Sequence, residues 1–220
     1  MGRVLLDEMI ETDYGLFELC WGDYGFDGDF ERNFAGQANG LVGAASGLGL
    51  YVNLARRSGG SPVRIVLEPE PAPADAGSWE DIVEVSIAIP PGAEVVWRAW
   101  EGGDGGDLDL PSGTYRVRVS AFGRDSGREG EFADGAVDRY LLELWPAPVR
   151  PDEIIKSTSA DAVYWHREVG SRRSRLLVFG YARRDALLCR HAPAAPSRRA
   201  LCRRVGAGRR PRCGDRARRP

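Results

Sequence analysis

The sequence predicts a mainly β protein: an antiparallel β-sandwich, jelly-roll-like, with a short C-terminal helix or strap and a disordered basic tail. Three observations carry this. Several short segments between residues 3 and 148 alternate apolar and polar residues with period two, the pattern of strands with one face in a core. Pro- and Gly-rich turns separate these segments, and few stretches carry a helical period, which favours a sandwich over an α/β fold. The charge also changes sign along the chain. Residues 1–170 hold 14 basic and 30 acidic residues, a net −16, whereas 171–220 hold 16 Arg and 2 Asp, a net +14. The expected division is an acidic sandwich domain over 1–168 and an Arg/Ala/Pro-rich tail over 169–220.

The chain opens with an N-terminal hairpin, after which "FERNFAGQA" suits one helical turn. "GLYVNLA" reads as a strand running into the turn "RRSGGSP", with a further strand in "VRIVLEP". "EPEPAPADAGSWED" is a Pro/Ala connection expected at the surface. "DIVEVSIAIP" places Val83, Val85, Ile87 and Ile89 on one face. Beyond the turn "PPG", "AEVVWRAW" sets Val95, Trp97 and Ala99 opposite Val96, Arg98 and Trp100. Beyond "PSG", "TYRVRVSAF" sets Tyr115, Val117, Val119 and Ala121 opposite Arg116, Arg118 and Ser120. "DRYLLELWP" closes the set, apolar on parts of both faces. Eight or nine short strands result. In the strap to about residue 168, Pro151, Asp152 and Glu153 have the composition of a helix start, interrupted by Ser157, Thr158 and Ser159.

Motifs with chemical meaning are few. "GAASGLG" has the Gly-x-x-x-Gly-x-Gly spacing of a dinucleotide phosphate loop. Such a loop needs a buried strand before it and a helix after it, so that phosphate meets backbone N–H groups at the helix start. Neither flank has that pattern, and the chain's only Lys is Lys156, so no Tyr-x-x-x-Lys pair exists. Gly40, Gly43, Gly47 and Gly49 instead predict a bulged strand or a close backbone approach, with no nucleotide and no cofactor. "GGDGGDLDL" is similar to a calcium-binding nonapeptide, but it occurs once and has Asp109 in the apolar slot. Asp104, Asp107 and Asp109 are candidate oxygen ligands; the adopted reading is a hairpin loop. Cys20 is expected to be a buried small hydrophobe and His166 a surface residue flanked by aromatics. No nucleophile elbow or metalloprotease helix occurs, so no catalytic residue is assigned. Of the six Trp residues, most belong in the core. Trp97 and Trp100 have opposite parity, which leaves one of them for the surface.

The tail lacks Lys, Glu and any apolar period, and disorder is the physical expectation. Cys189, His191, Cys202 and Cys213 have no standard zinc spacing. Such an arm would contact nucleic acid through phosphates. The abrupt change of composition favours the other reading, translation of a GC-rich frame entered by a frameshift. No stretch is long and apolar enough to span a membrane, and the start shows no secretory pattern, so a cytoplasmic location is expected.

The order "NGLVGAASGLGLYVNLA", "VRIVLEPEPAP", "SWEDIVEVSI", "LPSGTYRVRVSAFGRD" and "DRYLLELWPAP" is similar to the competence-associated nuclease inhibitors and related immunity-like β-rich proteins of bacteria. The resemblance implies a non-enzymatic protein whose partner is another protein, such as a nuclease or toxin. Charge agrees, because a domain at −16 repels nucleic acid and attracts basic proteins. The expected contact face includes Trp100, Glu101, Asp104 and Asp107. The alternative is a sandwich that binds a small ligand or a carbohydrate.

Overall fold

The computed structural model describes residues 2–22, 25–99 and 105–170. Among them, eleven strands and three short helices build two sheets packed face to face. The first sheet holds β1 (Arg3–Asp13), β5 (Ser58–Leu67), β6 (Asp81–Ile89), β9 (Gly113–Phe122), β10 (Arg139–Pro146) and β11 (Glu153–Lys156), in the order β1-β5-β10-β9-β6-β11. The second holds β2 (Leu16–Cys20), β3 (Val42–Gly43), β4 (Gly49–Asn53), β7 (Val95–Ala99) and β8 (Gly105–Leu108), in the order β3-β4-β2-β7-β8. Pairing is antiparallel except between β5 and β10, which run parallel. The sandwich is therefore the predicted one, with one parallel pair that no local pattern announces. No helix among the described residues is long and apolar enough to cross a membrane.

The core faces follow the alternation. Val83, Val85 and Ile87 of β6, Val117, Val119 and Ala121 of β9, and Tyr140, Leu142 and Leu144 of β10 meet Phe17 and Leu19 of β2, Leu50 and Val52 of β4, and Val95 and Ala99 of β7. At roughly 1.5–3 kcal/mol for each fully buried large apolar side chain, this layer is the main source of stability. The turns "PPG" and "PSG" sit where predicted but carry the chain between sheets, whereas "RRSGGSP" is no turn beyond Arg57, because residues 58–62 already pair with β1 as the start of β5. "PPG" links β6 to β7 and "PSG" links β8 to β9, each crossing the sandwich. The N-terminal pair is likewise no simple hairpin: β1 pairs with β5, β2 pairs with β4 and β7, and Tyr14-Gly15 turns the corner between the layers.

Two further expectations are corrected. Pro151, Asp152 and Glu153 do not start a helix, because the edge of β6 is open and residues 153–156 complete it as β11. Asp152 instead accepts the N–H groups of Ala38 and Asn39, both at 2.7 Å. The helix α3 (Ala160–Glu168) begins at Ser159, one of the residues expected to interrupt it. Its Oγ accepts the Ala162 N–H at 3.0 Å, the standard role of serine at a helix start. The surface connection 68–80 is mostly exposed as expected, yet the Ala72 carbonyl turns inward to accept from Arg118 at 2.7 Å.

α3 is held on the second sheet by aromatic contacts. Phe30, in α1 (Phe30–Asn33), stacks on Trp165 with ring centroids 6.1 Å apart, and Phe26 stacks on Tyr51 at 4.1 Å. Close approach completes the seat: a Cβ on Gly40 would overlap the Trp165 carbonyl oxygen. Helix α2 (Arg124–Glu129), which no sequence pattern announced, joins α3 through Asp125, whose carboxylate accepts the Ala160 and Asp161 N–H groups.

Candidate functional site

A concentration of exposed carboxylates lies on one flank of the sandwich. β1 is the outer strand of its sheet, and β8 ends the other sheet. In β1, the alternation after a bulge near Leu5 buries Leu6, Ile10 and Thr12 while Asp7, Met9, Glu11 and Asp13 face out. Glu8 shares the inward parity yet remains exposed, because at an edge the inward direction opens to solvent. On the opposing layer, Asp107 and Asp109 are exposed. Arg3 joins the two layers by donating to the Asp109 carboxylate and, at 2.7 Å, to its carbonyl oxygen. Arg64 donates to Asp7 at 2.8 Å. The flank thus gathers Asp7, Glu8, Glu11, Asp13, Asp107 and Asp109, with Met9 47% and Val4 45% exposed beside them.

Of the residues expected at the contact face, Asp107 lies on this flank. Trp100, Glu101 and Asp104 are outside the described residues, as is the Arg-rich tail. The carboxylates of β1 were not singled out from the sequence, although the period-two pattern of "LLDEMIETD" carries the signal. The Trp residues that are described supply no strongly exposed anchor. Trp21 and Trp145 are buried, and Trp79, Trp97 and Trp165 are half-buried.

The groups weighed for catalysis are occupied structurally. Cys20 is buried, and its thiol is pushed up to about 11 by desolvation and by the neighbouring Glu18 carboxylate, which makes it a poor nucleophile. His166 corrects the surface expectation. It is half-buried where α3 packs on Gly40, and its Nδ1 accepts the Gly40 N–H at 3.0 Å, while Nε2 has no hydrogen-bond partner. Desolvation, reinforced by the Arg124 charge, holds its pKa below the ordinary imidazole value. "GAASGLG" forms the end of β3, a turn with Gly47 at φ 73°, and the start of β4. This is a strand-turn-strand arrangement, and a Cβ at Gly43 would press on Phe34. Among the described residues no three His, Cys, Asp or Glu side chains are grouped to hold a metal ion.

A second charged cluster lies on the outer face of the first sheet, and it is buried. Arg116 and Arg118 of β9, on its polar parity, are 1% and 6% exposed. Glu84 of β6 accepts from Arg116 Nε at 2.9 Å and from Arg118 Nε and Nη2 at 3.0 and 2.9 Å. Arg118 stacks over Trp145 at 5.1 Å, and the Pro151 carbonyl accepts from Arg116 at 2.9 Å. Here the connections 68–80 and 147–152 are fastened to the sheet, so this cluster is a clasp rather than a binding face.

No protein-family pattern matches the chain, and no curated protein does. Two solved structures are similar in fold. ComJ from Bacillus subtilis, an inhibitor of the DNA-degrading activity of NucA, shares 15% identity over 67% of this chain and 99% of its own, with a TM-score of 0.47. The crocagin biosynthetic gene J product shares 15% over the same coverages, with a TM-score of 0.43. Likeness at this distance transfers no function.

Proposed function

We propose that this protein is a non-enzymatic binding module whose acidic flank docks a basic protein partner, with a nuclease or toxin as the class that the charge suits best. The observation that carries the reading is the acidic outer edge formed by β1 together with Asp107 and Asp109. An unpaired strand edge is a template for an added strand. The carboxylates select what is added. A second copy of β1 would bring like charges together, whereas a cationic segment would be drawn in. Clustered carboxylates also resemble a phosphate backbone, which is the feature a nuclease cleft is built to receive.

The test measures association of the full chain with a panel of cationic nucleases, alongside nuclease activity in its presence. Association is expected to slow as salt rises from about 0.1 M to about 1 M, since the Debye length shrinks from ~10 Å to ~3 Å. The triple reversal Glu8→Lys, Glu11→Lys, Asp13→Lys should slow association at least about tenfold with the fold intact. Equal binding by the wild type and the reversed variant would overturn the reading.

A further inference from the structure

Beyond the C-terminal end of β1, a cleft of about 460 Å³ opens where the Tyr14-Gly15 corner and the 54–57 corner meet α3. Its volume falls in the range of small-molecule pockets, roughly 300–1,000 Å³. The two corners are tied by backbone bonds, Gly15 N–H to the Arg57 carbonyl at 3.1 Å and Leu54 N–H to the Gly15 carbonyl at 2.8 Å. Leu54, Ala55 and Trp165 supply apolar lining.

Two guanidinium groups border this space, each laid on an aromatic ring. Arg57 sits 4.9 Å from the Tyr14 ring centroid and Arg128 sits 5.1 Å from that of Tyr164. Both remain mostly exposed, with side chains 61% and 55% accessible. Their ionic partners hold them loosely. Glu131 is 3.9 Å from Arg57, and Asp161, 3.3 Å from Arg128, is already engaged by buried Arg124 at 2.6 Å. The lining balances Arg57 and Arg128 against Glu131 and Asp161, and because Asp161 is shared with buried Arg124, Arg128 holds only part of that carboxylate, within a domain that is otherwise acidic. A guanidinium fixed on a ring loses less freedom when its N–H edge engages a planar oxyanion.

Tyr14 adds an independent observation. It is the one non-glycine residue with positive φ among the described residues, at 57°, and the residue is 57% exposed. A bulky side chain rarely takes that conformation, and strain of this kind collects at binding sites.

We infer that this cleft binds a small aromatic oxyanion, its carboxylate or phosphate between Arg57 and Arg128 and its ring against Trp165 and Leu54. The inference does not rest on the protein-docking reading; the cleft adjoins the flank at Asp13, whose carboxylate accepts the Tyr14 N–H at 3.0 Å, and it takes none of its lining from the flank.

Calorimetry with the full chain and four probes tests it: phenyl phosphate, benzoate, inorganic phosphate and benzyl alcohol. Phenyl phosphate or benzoate is expected to bind at about 1 mM or tighter. Inorganic phosphate and benzyl alcohol should each bind at least about tenfold more weakly, because each lacks half of the recognised chemistry. The stronger of phenyl phosphate and benzoate identifies the anion. The double substitution Arg57→Gln, Arg128→Gln should weaken binding about tenfold or more without moving the melting midpoint. Tyr14→Asn, which suits a left-handed backbone, should keep the fold and also weaken binding. Undiminished binding in the double variant would place the anion elsewhere, with the arginines of 171–220 as the obvious alternative, and would overturn the inference. Absence of measurable binding by every probe would overturn it equally.

Discussion

His166 shows how a single side chain couples packing to pH. Its Nδ1 must stay unprotonated to accept the Gly40 N–H, and burial beside Arg124 favours the neutral ring, while Asp81 and Asp152 act in the opposite sense more weakly. The folded pKa is therefore below the unfolded value of about 6.5. As pH falls, the unfolded chain takes up this proton first, so the contribution to stability is present above about 6.5 and is lost as pH drops towards the depressed folded value. His166→Asn retains an acceptor near Nδ1 and does not titrate. Its melting midpoint is expected to fall less than that of the wild type between about pH 7.5 and pH 5.5. Parallel slopes in a thermal-melt series would show that His166 is not coupled to folding. Glu84 is the other residue that decides much, because among the described residues it is the ion-pair partner of buried Arg116 and it also pairs with Arg118.

Among elements, α3 depends on a glycine more than on its own sequence. At nine residues it is too short to be stable alone, and docking supplies what propensity does not. That docking needs the backbone of residue 40 against the Trp165 carbonyl. Gly40→Ala is expected to cost about 1–3 kcal/mol, as overpacking does. Urea titration checks the magnitude, and a changed Trp fluorescence of the folded protein would accompany a displaced α3. Wild-type stability in this variant would mean that the helix is seated by its aromatic contacts with Phe30 alone. β11 has the same dependence: its pairing with β6 prevails over the helical composition of Pro151, Asp152 and Glu153.

For the whole molecule, charge division is the dominant fact. The described core draws on strands from β1 to β10 and reaches Ala162 and Val169 at its C-terminal end. Removal of residues 171–220 is therefore expected to move the melting midpoint by no more than about 2–4 °C, equivalent to roughly 1 kcal/mol for a domain of this size. Calorimetry of the full and shortened chains at equal salt checks this. A larger fall would show that the arginines of the tail contribute to the stability of the acidic domain.

Local pattern alone is enough for the sandwich, the inward faces of β6 and β9, and the burial of Cys20. Alternation and turn chemistry are local, and core burial reads them directly. The β1 carboxylates were equally legible as a pattern, but that they share a flank with Asp107 was not. The outcome depends on β1 leaving its chain neighbour β2 to pair with β5 in the other sheet. Tertiary structure alone decided that the polar face of β9 is buried, because Arg116 and Arg118 find Glu84 one strand away and distant loops cover them. It also made the cleft, by bringing residues 14, 57, 128 and 164 together from separate segments. These features arise from crossings between sheets, and a period of two specifies which side of a strand faces inward without specifying which strand lies beside it.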